Sequence, residues 1–230
     1  MSSLASEVVT VTVGEGTDVK TFVLHEDILK QHSDFEDWQY INKDLPLLSV
    51  TVDDYEIFDI FANFAYTGEL EAQTVQTASD PQRASREYCN RLLRCWDLGH
   101  TLLATHFQDA VMDELVQNSV KNGHLRAYSF ADCADLYERF RGASLNSLQR
   151  LAVDIAVREW DAEDVKNLIS PSLQFLRDVT IEFLRLHDKV KEAAVRGSGP
   201  AENYFEEVWM MHGCRYHEHG EEKPCYKTLG

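Results

Sequence analysis

The chain has 230 residues, 44% hydrophobic and 27% charged, and its 39 Asp and Glu against 22 Lys and Arg give a net charge of -17. These proportions suit one large or two small globular domains and exclude a fibrous repeat or wholesale disorder. Such an acidic chain is a poor ligand for nucleic acid or anionic lipid, both polyanions held mainly by Lys and Arg, and its apolar runs fall far short of the roughly 20 residues that cross a bilayer.

The opening MSSLASE lacks a basic segment followed by an apolar stretch, so no secretory signal is expected and the protein is placed inside the cell, in cytoplasm or nucleus. In VVTVTVG, residues 8 to 14, Val9, Val11 and Val13 alternate with Thr10 and Thr12, and a period of two in β-branched residues predicts a strand with one buried face. Gly14 and Gly16 turn the chain, and KTFVLH, residues 20 to 25, completes a hairpin. EDILKQHSDFEDW reads as a short helix with Ile28 and Leu29 inward, and LLSVTV, residues 47 to 52, as a third strand.

In DDYEIFDIFANFAYTGEL, Asp53 or Asp54 can cap a helix on which Ile57, Phe58, Phe61, Phe64 and Ala65 recur at steps of three and four. Phe58, Phe61, Phe64 and Tyr66 read as core packing, and Gly68 as the left-handed stop. Residues 71 to 86 show no hydrophobic period and are expected to form a loop. Helices follow: one stripe at Cys89, Leu92, Leu93 and Trp96, a break near Gly99, and a second at Phe107, Ala110, Val111 and Leu115. Two more are expected at 128 to 141 (Phe130, Cys133, Tyr137, Phe140) and 145 to 160 (Leu148, Ala152, Ile155). A last one begins near Pro171 with Phe175, Val179, Phe183, Leu186 and Val190 on one face. RGSGP, residues 196 to 200, is a linker.

Strands that precede helices, without alternating with them, predict an α+β fold: a short three-stranded sheet flanked by helices, an all-helical extension, and a tail. Residues 1 to 70 hold 14 acids against Lys20, Lys30 and Lys43, a solvated acidic surface that also suits a basic partner. Five cysteines, an odd number, do not suggest a disulfide framework, and Cys89, Cys95 and Cys133 read as small buried hydrophobes.

No glycine-rich phosphate cradle, nucleophile elbow or HExxH pair occurs, and no catalytic dyad stands out. The exception is CRYHEHGEEKPC, residues 214 to 225, where Cys214, His217, His219 and Cys225 supply the two sulfurs and two imidazoles that zinc prefers in closed structural sites. His212 is a spare candidate. Trp209, Met210 and Met211, just ahead, would gain from being pinned, and a bound metal supplies energy for ordering so short a piece.

VVTVTVG with KTFVLHEDIL resembles the opening of a BTB (POZ) domain, with His25 and Leu29 at the positions of that family's usual His and Leu. HSDF resembles its S-P-x-F turn, VTVDDYEIFDIFANFAYTGEL its most recognisable segment, ending in Tyr66, Thr67 and Gly68, and CWDLGHTLLATHFQDAVMDELV its closing helical pair. DLYERFRGASLNSLQRLAVDIAV is similar to the helical region after the BTB domain in single-domain proteins of filamentous fungi, which often end in a His- and Cys-containing tail. The resemblance implies a BTB domain over 7 to 120, a helical extension over 121 to 195, and a linker and tail over 196 to 230. It further implies a non-enzymatic scaffold or adaptor that self-associates as a homodimer or larger assembly, with substrate adaptor for a cullin-3 ubiquitin ligase as the narrower role. Residues 35 to 47 lack the family's glycine-bearing stretch and the hydrophobic-x-glutamate pattern that contacts cullin, and few residues precede the first strand. The reading from another class is a metal-dependent hydrolase built on the tail cluster with His212, His217 and His219.

Overall fold

A β-hairpin comes first in the computed structural model, which describes residues 7–15, 18–33, 48–50, 55–72, 81–121, 137, 146–166, 172–195, 214–219 and 225–228. The architecture is α+β and mostly helical. Two compact units are present, one of Met1–Leu115 with Glu218–Gly230 and one of Val116–His217.

In the first unit, β1 (Val8–Glu15) pairs antiparallel with β2 (Asp18–His25), Val11 opposite Phe22 and Val13 opposite Lys20. On its other side β1 pairs in parallel with β3 (Leu48–Val50), giving the order β2-β1-β3. The alternation works as the sequence requires: Val11 and Val13 are fully buried, whereas Val8 and Val23 on the opposite face are 60% and 61% exposed. Helix α1 (Glu26–His32) starts where the Glu26 N–H donates to the Glu7 carbonyl and ends where Ser33 Oγ donates to the Leu29 carbonyl. Of its two expected core residues, Leu29 is buried and Ile28 half-buried.

Helix α2 (Tyr55–Thr67) buries Ile57, Phe58, Phe61, Phe64 and Ala65, the residues whose spacing marked its inner face. Its aromatics form a chain of offset ring contacts, from Phe22 to Phe58 (4.7 Å between centroids), Phe58 to Phe61 (5.7 Å) and Phe61 to Phe107 (5.3 Å). Gly68, at φ +72°, closes the helix with its N–H on the Phe64 carbonyl. Tyr66 departs from the expectation of core packing. It is 47% exposed because its position points off the buried face, and its hydroxyl binds His25.

Part of the expected loop over 71 to 86 is helical, and residues 73–80 lie outside the described residues. Helix α3 (Pro81–Thr101) already starts at Pro81, whose missing N–H costs nothing in a first turn. An exposed Arg83–Glu87 pair of 2.8 Å supports that turn without leaving any hydrophobic period to read. Gly99 likewise does not break the helix. A Cβ there would lie 2.7 Å from Gln108 Cγ and 3.1 Å from Phe107 Cδ1, so glycine serves the close approach of α4 (Thr105–Lys121). The turn comes after it, with Leu103 in the left-handed region at φ +53° and Ala104 N–H on the Gly99 carbonyl. Leu92, Cys95, Trp96, Phe107, Val111 and Leu115 line the buried faces of the two helices.

The second unit centres on α5 (Ser147–Glu159), which begins with a capping box: Gln149 N–H donates to Asn146 Oδ1 (2.8 Å) and Asn146 N–H to Gln149 Oε1 (3.1 Å). Its buried residues include Leu148, Leu151, Ala152, Ile155 and Ala156. After the short α6 (Ala162–Lys166) comes α7 (Leu173–Val195), whose Phe175 is buried between Tyr137 (5.1 Å) and Trp160 (5.6 Å). The rest of the expected stripe is not buried: Val179 and Leu186 are half-covered, and Phe183 and Val190 are exposed. Among the described residues the helical neighbour of α7 is α5, 13 residues against 23.

Among the described residues no helix is long and apolar enough to cross a membrane. The proposed caps Asp53 and Asp54, the helix over 128 to 141 apart from Tyr137, Pro171, the linker over 196 to 200, Trp209 to Met211 and His212 lie outside the described residues.

Candidate metal centre in the C-terminal tail

The side chains named from the sequence come together. One ligand atom each of Cys214, His217, His219 and Cys225 lies within 4.8 Å of the other three. Around a zinc ion with bonds of about 2.3 Å to sulfur and 2.0–2.1 Å to nitrogen, tetrahedral ligand atoms stand roughly 3.3–3.8 Å apart. The 4.8 Å limit of the cluster is within about 1.0–1.5 Å of that spacing. The donor set fits: two soft sulfurs, two imidazoles, and no position left over for water if all four bind. A metal ion held there would be structural, a closed site that orders chain.

Local backbone explains how twelve residues achieve this. Residues 214 to 216 form a turn in which the His217 N–H donates to the Cys214 carbonyl (3.2 Å), bringing the first sulfur and the first imidazole to one side. Cys225 opens a 3-10 turn, Tyr226–Thr228, and its carbonyl accepts from the Thr228 N–H and hydroxyl. His217 is buried, while Cys214 is exposed and Cys225 partly so.

The tail is held by acids that sequence reasoning passed over. On α5, Asp154 accepts from Arg215 Nε and Nη2 (2.9 and 2.7 Å) and from the Tyr216 hydroxyl (2.6 Å), while Arg150 Nη1 donates to the Arg215 carbonyl (2.7 Å). Burial opposes the Arg215 charge, but Asp154 outweighs it and keeps the guanidinium above its ordinary pKa. Burial first, then Asp154, pushes the Tyr216 phenol up, so it stays a neutral donor. On α4, Asp109 is fully buried and accepts from the Glu218 N–H, with the His219 ring facing its second oxygen at 4.0 Å. One turn later Asp113 accepts from the Tyr226 hydroxyl and Lys227 Nζ. Burial and then Asp113 raise the Tyr226 pKa as well.

No protein-family model, curated protein or solved structure matches the chain. The functional reading therefore stands on the residues and their geometry. One signal for the anchors was present in the sequence: Asp109 and Asp113 are four apart, on one side of a helix. Among 39 acids, nothing distinguished that pair.

Proposed function

We propose that this chain is a non-enzymatic protein-interaction module, a scaffold or adaptor that self-associates through a BTB domain and carries a structural zinc in its tail. The observation that carries the BTB reading is a contact between two of the segments on which the resemblance rests. The Tyr66 hydroxyl of the YTG tripeptide accepts from the His25 N–H (3.0 Å) and lies 2.9 Å from His25 Nδ1, at the junction of β2 and α1. These residues thus have a joint role in fixing strand against helix. The small mixed sheet backed by helices is compatible with that fold.

Self-association is supported by the outer face of the hairpin, where Val8, Val19 and Val23 are exposed together. The activity of such a module is proximity, raising the effective concentration of bound partners for one another. Light scattering over a range of concentrations tests it, with an assembly expected and a persistent monomer contradicting it. The narrower role, adaptor for a cullin-3 ubiquitin ligase, rests on the resemblance alone, and a pull-down without cullin-3 removes it while leaving the scaffold in place.

A further inference from the structure

The two sulfurs of the tail cluster are neighbours in their own right, less than 4.8 Å apart. A disulfide needs about 2.05 Å, so joining them requires the sulfurs to approach by up to about 2.7 Å. Reactive cysteines of this kind are accessible and poised beside a resolving partner. Cys214 is exposed and Cys225 partly exposed, whereas Cys89 and Cys95 are buried in α3, six residues apart and on different sides of that helix. A disulfide between them is reversible by a thiol or phosphine reductant.

We propose that the tail cluster is a thiol redox switch, in which a peroxide links Cys214 to Cys225 and so removes the metal-binding set. The proposal rests on the metal reading above and adds its regulation. One thiolate attacks the peroxide, the O–O bond breaks, and a sulfenic acid and hydroxide form. The second thiolate then displaces hydroxide from that sulfur to give the disulfide. Together the two sulfurs lose two electrons and the peroxide gains them. What remains of the cluster is two imidazoles, too few for a closed tetrahedral site.

The test uses the full chain, purified reduced and loaded with zinc, titrated with hydrogen peroxide beside a chromogenic zinc chelator. About one zinc per chain is expected at the start, with release in step with loss of two thiols, peptide mapping that joins Cys214 to Cys225, and rebinding after a phosphine reductant and fresh zinc. Cys225→Ser should form no tail disulfide, and circular dichroism shows whether it folds; if it does not, mapping of the unaltered chain decides. Zinc that stays bound after oxidation, or oxidation recovered only as other links or as sulfinic acid, overturns the switch and leaves the metal site standing. A reduced chain that binds no zinc overturns both.

Discussion

Phe61 shows how far a single side chain can be argued from spacing. It is fully buried, with its ring against Phe58 and Phe107, so Phe61→Ala should cost about 3–5 kcal/mol through lost transfer energy and the cavity left behind. Denaturant unfolding measures that loss, and a cost below about 1 kcal/mol would contradict the placement. His32 makes a second prediction. Its imidazole packs edge-on against Phe64 (5.6 Å) near His106 (6.5 Å), and burial, then the His106 charge, holds its pKa below the usual histidine range. The unfolded chain therefore takes up the proton first. The stability contributed by the neutral ring is present above the ordinary value of about 6.5 and is lost as the pH falls through the folded value. Unfolding midpoints should drop between pH 7.5 and 5.5, and His32→Gln should flatten that slope; an unchanged slope would refute the assignment. Tyr66 marks the limit of spacing, since the period identifies a helix face but not a hydroxyl that reaches a neighbouring element.

Among the elements, those with a buried stripe were legible and those without one were not. The α2 helix could be drawn from Ile57, Phe58, Phe61, Phe64 and Ala65 because only a 3.6-residue repeat places them together. The first turns of α3 were missed because Pro81 to Arg86 lack that repeat. At the tail, the ligand types were legible because all four lie within twelve residues, while the anchors were not, since Asp154 and Asp109 stand 61 and 109 positions before the residues they hold. Asp154 gives the prediction at this scale. It accepts from both Arg215 and Tyr216 against α5, so Asp154→Ala should leave partly buried donors unmade at a cost of about 1–3 kcal/mol. Limited proteolysis should then cut within 214 to 219 faster than in the unaltered chain. Equal rates would mean that this anchor does not hold the tail.

At the scale of the whole molecule, an α+β body with apolar strand positions facing outward carries a strongly negative charge, 14 acids within its first 70 residues. That combination suits association through a defined patch while the remaining surface repels copies of itself. The exposed half of α7, with Phe183 and Leu184, adds apolar surface in the second unit. Composition made the charge legible, and the alternation in β1 made the sheet legible. The outward valines on β1 and β2 needed the strand register, because Val8 and Val23 share a face only once Val8 lies opposite His25 and Thr10 opposite Val23. The most direct measurement is light scattering on the purified chain and on Val23→Asp, which places a charge on that face. Self-association through the hairpin predicts twice the chain mass or more for the unaltered protein and a shift toward monomer for the variant, while a monomer at every concentration would contradict it.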